Sequence, residues 1–166
     1  MNYHDIKKDD MLNGDGIRVT LFVSGCDHDC FNCQNPQTHD PSSGIRFDKA
    51  ACGEIYQELS KDYISGLTLS GGDPLFSENL CEIRSLVENI REKYPLKTIW
   101  MYTGYVYEQI EKNQYIKDIL KNIDVLVDGR FVQELFDINA PFVGSTNQRV
   151  IDVQNTLKKN EIVLWR

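Results

Sequence analysis

The sequence predicts an α/β fold built on a parallel sheet, and three observations carry that reading. Short β-branched apolar runs alternate with longer segments whose apolar residues recur at helical spacing. Strands alternating with helices of this length form right-handed βαβ units. Polar or glycine-bearing turns recur at the same place in each unit, just after the strand, where functional groups gather in such sheets.

Taken in chain order, Ile17 to Ser24 (IRVTLFVS) reads as a buried strand, and a cysteine loop follows its C-terminal end. Asp48 to Ser60 reads as a helix, with Ala51, Ile55 and Leu59 on one face and Asp48 as its N-cap. Leu67 to Leu69 is a short strand running into Ser70-Gly-Gly-Asp-Pro74. Ser77 to Tyr94 is an amphipathic helix with Leu80, Ile83, Leu86, Val87 and Ile90 on one face, stopped by Pro95. Thr98 to Tyr102 is the third strand, and Tyr107 to Asn122 is helical with a break near Asn113. Val125 to Val127 is the fourth strand, closed by Asp128-Gly129. Arg149 to Val153 and Ile162 to Trp165 read as short extra strands. The units are too few for an eight-fold barrel, so an open face is expected.

No repeat, low-complexity stretch or linker interrupts this pattern, and residues 1–166 read as one domain. Hydrophobic residues at 41% and charged residues at 26% are those of a soluble globular chain. No apolar run nears the ~20 residues that span a bilayer, and the polar start MNYHDIKKDD is unlike a signal peptide. With unpaired thiols, that points to the cytoplasm and away from membranes. The net charge of −7, without a lysine or arginine block, argues against nucleic-acid binding.

The most informative motif is Cys26-Asp-His-Asp-Cys30-Phe-Asn-Cys33. Three thiolates can hold three irons of a [4Fe–4S] cluster and leave the fourth without a protein ligand, whereas a closed four-cysteine site suits electron transfer. A structural zinc is the alternative, with His28 or His39 completing a Cys3His set, although no second Cys-x-x-Cys pair exists. Cys52 and Cys81 are solitary in helix-like stretches, where a free cysteine is usually a small buried hydrophobe. The second motif, Ser70 to Pro74, reads either as a tight strand-to-helix turn or as a binding edge whose glycines let a ligand approach the backbone. Beside an open iron on the same rim, the binding reading gains. A ligand with an amino and a carboxylate group would satisfy both motifs, and S-adenosylmethionine is such a ligand.

In these motifs the chain resembles the radical S-adenosylmethionine enzymes, marked by Cys-x3-Cys-x2-Cys after the first strand and a Gly-Gly turn after the second. More narrowly, it is similar to the glycyl-radical-enzyme activases that serve anaerobic ribonucleoside-triphosphate reductases. That likeness is carried by Asn13-Gly-Asp-Gly-Ile-Arg18, Thr20 to Cys26, Leu69 to Pro74, Thr103-Gly-Tyr105, Val127 to Val132 and Gly144 to Arg149. Activators of pyruvate formate-lyase are the alternative, and they are longer.

The resemblance implies an oxidoreductase with a partial, open β/α barrel. It implies Cys26, Cys30 and Cys33 as the catalytic cluster ligands and Gly71, Gly72 and Asp73 beside the amino group of S-adenosylmethionine. Backbone groups of Asn32, Cys33 and Gln34 would meet the adenine. The implied partners are the large subunit of the reductase, which receives a glycyl radical, and a low-potential donor such as flavodoxin. Asn32 departs from the family, where an aromatic residue often precedes the third cysteine; here Phe31 lies one position earlier. Asp15 stands where proline is frequent. Arg18, at a strand start, reads as a solvated charge or a contact to cosubstrate or partner. His28 is expected to shield the loop, and Tyr102, Tyr105 and Tyr107 to pack.

Overall fold

The computed structural model describes residues 1–165; Arg166, the last residue of the tail, lies outside them. Seven strands form one open mixed sheet: β1 (Asn2–Asp10), β2 (Arg18–Val23), β3 (Ile45–Arg46), β4 (Gly66–Gly71), β5 (Thr98–Tyr102), β6 (Val125–Asp128) and β7 (Arg149–Asp152). Their spatial order is β3-β1-β2-β4-β5-β6-β7. β2, β4, β5 and β6 run parallel, as their apolar runs require.

The wholly parallel expectation fails at both edges. β1 and β7 pair antiparallel with β2 and β6, and β3 pairs antiparallel with β1. The polar Asn2–Asp10 segment escaped the sequence reading because β3 covers it only at Asn2 and Tyr3, so it is mostly half-buried or exposed and needs few apolar residues. Residues 162–165 contribute one bridge, Leu164 to Ile151, rather than a strand.

Five α-helices complete the fold among the described residues: α1 (Lys49–Leu59), α2 (Leu80–Lys93), α3 (Tyr107–Ile110), α4 (Gln114–Leu120) and α5 (Val153–Lys159). Asp48 caps α1 by accepting from the amides of Ala50 and Ala51. Asn113 caps α4 in the same way, which accounts for the break between α3 and α4. α2 starts at Leu80, three residues later than its apolar pattern indicates, because residues 74–79 form turns. Its Ile83, Leu86, Val87 and Ile90 are buried as expected.

Alternate residues of each parallel strand separate two layers. Val19, Leu21, Val23, Leu67, Leu69, Ile99, Met101 and Leu126 join Ile55, Leu59 and the α2 face in the main core. Trp100, Val125 and Val127 form a smaller cluster on the opposite face with Tyr102, Phe142, Val143 and Trp165. Arg18 belongs to that second face and is fully buried, which corrects the solvated-charge reading. Its guanidinium donates to Thr68 Oγ1 at 2.7 Å, Leu67 O at 2.7 Å, Asp15 O at 3.0 Å, Thr98 Oγ1 at 2.9 Å and Thr98 O at 2.9 Å, and it lies over the Trp100 ring. Burial pulls its pKa down to about 10, so it stays charged at neutral pH. Among the described residues no helix is long and apolar enough to cross a membrane.

Candidate functional site

The loops after β2, β4, β5 and β6 open onto one cavity of about 770 Å³. Cys26, Cys30, Cys33, Gln34, Gly71 and Gly72 line it, as do Thr103, Gly104 and Gly129 from the later strands. The four strand ends singled out from the sequence therefore meet on one rim. A fifth segment, residues 136–144, closes the far side and was not anticipated.

The cysteine loop is shaped by two non-glycine residues in the left-handed region, Asp29 at φ +47° and Asn32 at φ +53°. Asp and Asn tolerate that conformation far better than aromatic residues do. The departure at Asn32 thus has a local physical reason. Asn32 itself lines a smaller neighbouring hollow with Phe31 and Pro36, not the main cavity. The loop is anchored at its start, where the Gly25 and Cys26 amides donate to Thr38 O and His39 O. Burial pushes the Cys26 thiol up to about 11, only partly offset by the His28 backbone. Burial raises the Cys30 thiol as well, against a hydrogen bond from the Phe131 backbone. Buried thiols of this kind become thiolates when a metal supplies positive charge.

The Gly-Gly turn is zipped to that loop. Gly72 N donates to Val23 O at 2.8 Å and Asp73 N to Gly25 O at 2.7 Å. Gly71 sits at φ +101°, and a Cβ on Gly72 would stand 2.5 Å from Gly25 O. These glycines are needed for the approach of two backbones, a constraint the motif alone does not reveal.

Asp73 departs from expectation. It is 1% exposed, and its carboxylate already accepts from His28 Nε2 at 2.5 Å, Leu75 N at 2.8 Å, Thr103 Oγ1 at 2.9 Å and Gly104 N at 3.1 Å. It lies behind the cavity wall, with its acceptor sites taken by protein donors, and so is not free to meet an amino group directly. Asn79 reinforces it, donating to Ser24 O and Asp73 O. The Asp73 to His28 pairing was missed because 45 residues separate the two in sequence.

Three thiols line one cavity and fit the three-cysteine ligation of an iron–sulfur cluster; His28 could complete a Cys3His zinc set only through Nδ1, because Asp73 holds Nε2. Cys52 and Cys81 sit on α1 and α2, outside the cavity lining; Cys81 is exposed rather than buried. His28 Nδ1 is buried without a hydrogen-bond partner among the described residues, on a residue that lines the cavity with the three cysteines. Buried polar atoms are seldom left so.

A family model described as a 4Fe-4S single cluster domain matches residues 12–151. The anaerobic ribonucleoside-triphosphate reductase-activating protein of Escherichia coli strain K12 is 44% identical over 152 residues, covering 90% of this chain and 97% of that protein. The protein of the same name from Enterobacteria phage T4 is 42% identical over 150 residues, 90% of this chain and 93% of its own length. That from Vibrio cholerae is 43% identical over 150 residues, 89% and 96% respectively. The chain belongs to the family of anaerobic ribonucleoside-triphosphate reductase-activating proteins, with a 4Fe-4S single cluster domain.

Proposed function

We propose that this chain, acting as one domain over residues 1–166, is a radical S-adenosylmethionine activase. It generates a glycyl radical on the large subunit of an anaerobic ribonucleoside-triphosphate reductase. The reading rests chiefly on one observation: three thiols and a Gly-Gly backbone edge share a single cavity, and the remaining two cysteines lie elsewhere. In this reading the open sheet of β2, β4, β5 and β6 serves as the partial β/α barrel of that enzyme class.

Cys26, Cys30 and Cys33 would hold a [4Fe–4S] cluster, and Gly71 and Gly72 would border the amino-acid end of S-adenosylmethionine. When bound, the cluster supplies the electron that cleaves the cosubstrate to methionine and a 5′-deoxyadenosyl radical able to take a hydrogen atom from glycine. The protein orients these groups and excludes water from them. Gln34 and Cys33 border the adenine end from the main cavity, and Asn32 does so through its backbone. Asp73 acts from behind, holding the Thr103-Gly104 turn and the cysteine loop in place. The exposed side chains Met11, Leu12, Phe136 and Ile138 form an apolar lip at the cavity mouth, where a glycine-bearing segment would enter. The setting is the cytoplasm, with a flavodoxin-like donor as the source of the electron.

The test is anaerobic incubation of the reconstituted chain with the reductase large subunit, a reductant and S-adenosylmethionine, read by electron paramagnetic resonance. A glycyl radical on the reductase that requires all components is expected. A radical formed on pyruvate formate-lyase instead, or on neither, would contradict the assignment.

A further inference from the structure

We propose that His28, clamped by Asp73, is the positioning residue that fixes the three-cysteine loop against the sheet before any metal arrives. The inference builds on the reading of Cys26, Cys30 and Cys33 as cluster ligands, and it adds a role for a residue that the cluster chemistry does not itself require.

Within residues 26–34, His28 is the one buried side chain; every other position is half-buried or exposed. Loops with so little buried surface are the least stable parts of a fold. Backbone hydrogen bonds tie down the start of this one, and His28 is the buried side chain that anchors its interior. Its ring is gripped from three sides. Nε2 donates to Asp73 Oδ2 at 2.5 Å, Tyr105 meets the ring edge-on with centroids 4.5 Å apart, and a Cβ at Gly104 would stand 2.3 Å from its Cδ2. Asp73 is itself immobilised, since Leu75, Thr103 and Gly104 also donate to its carboxylate. The chain of contacts therefore runs from β4 and β5 through Asp73 to His28, and from there two residues either way to Cys26 and Cys30.

The unpaired Nδ1 supports the same reading. A ring free to choose its orientation would satisfy both nitrogens, yet this one satisfies Nε2 alone. Its placement is set by Asp73, at the expense of a partner for Nδ1. Carboxylates that orient an imidazole in this manner recur behind metal ligands, where geometry must be held closely.

Four forms of the full-length chain test the proposal: wild type, His28→Phe, His28→Gln and Gly104→Ala. Phe keeps the ring without its donor, Gln restores an N–H for Asp73, and the Gly104 variant displaces the ring without altering it. In the metal-free protein, amide hydrogen exchange over residues 26–34 should accelerate at least tenfold in His28→Phe and Gly104→Ala. Exchange in β4 and β5 should not change, and His28→Gln should recover most of the protection. After anaerobic reconstitution, His28→Phe should hold at most half the wild-type cluster, with a shifted midpoint potential that His28→Gln moves back. Unchanged loop exchange in His28→Phe would overturn the proposal, whether or not the protein binds iron. A wild-type chain that binds no cluster would count against the proposed function alone, because the exchange measurement still decides the anchor.

Discussion

The two ends of the parallel sheet carry the same device and put it to different use. At the strand starts, the buried Arg18 ties β2 to β4 and β5 through Thr68, Leu67 and Thr98, using neutral oxygens throughout. At the strand ends, the buried Asp73 ties the loops after the same three strands, through His28, its own turn and Thr103-Gly104. Each is a buried ionisable side chain surrounded by hydrogen-bond partners, which burial of such a group requires. The Arg18 end closes on itself and presents no ligand-facing group, so its work is stability. The Asp73 end stands behind the cavity, so its work is the placement of loops. Ligand sites in open α/β sheets lie at the strands' C-terminal ends, and here the polarity of the two hubs follows that rule.

The sharpest separation of the two ends comes from the cysteines. Cys26→Ala, Cys30→Ala and Cys33→Ala should each abolish assembly of an intact [4Fe–4S] cluster while leaving the folded fraction unchanged. Cys52→Ala and Cys81→Ala should leave the iron and sulfide content at the wild-type level. Loss of cluster in either of the latter would overturn the ligand assignment. Arg18→Ala is the counterpart at the other end. It removes a fully buried side chain and strands at least two acceptors, costing about 3–4 kcal/mol in chemical denaturation. A cost under about 1 kcal/mol would show that the hub is not what holds the strand starts.

Gly72→Val probes the turn shared by both motifs. Its side chain would strike Gly25 O, so the expected result is a loss of about 1–3 kcal/mol together with impaired cluster assembly. A variant with a normal cluster and only weakened S-adenosylmethionine binding would mean that the glycine serves the ligand rather than the cysteine loop. The smallest effect lies off the axis, at Arg149. Its guanidinium holds the Glu108 carboxyl down to about 2, below its ordinary 4.5. A depressed carboxyl contributes stability above its ordinary pKa, and that contribution fades as pH falls from 4.5 through about 2. Glu108 is half exposed, so Glu108→Gln should flatten this acid limb by no more than ~0.5 kcal/mol. A larger change would mean that the pair is better shielded than its exposure indicates.

The helix-covered layer was legible in the sequence because periodicity reports it directly. Val19, Leu21 and Val23 alternate against α1 and α2, whose own apolar faces are spaced at three and four residues. The rim was legible too, since glycines and cysteines mark strand ends. Of the outer strands, β7 was legible but β1 and β3 were not: β1 is nearly all polar, and pairing direction near an edge leaves little trace in composition. Buried charges were the other blind spot. Arg18 at a strand start and Asp73 in a turn look like surface residues until their partners, 50 and 30 residues distant, are brought beside them. Sequence reasoning sees the Asp73 carboxylate and not the donors that surround it.

The most direct test of the central claim is anaerobic reconstitution with iron and sulfide, reduction, and electron paramagnetic resonance with and without S-adenosylmethionine. A reduced [4Fe–4S] signal that changes shape when the cosubstrate is added, accompanied by 5′-deoxyadenosine, is the predicted result. A cluster whose signal ignores the cosubstrate, or no cluster at all, would contradict an open iron held by Cys26, Cys30 and Cys33 and with it the activase reading.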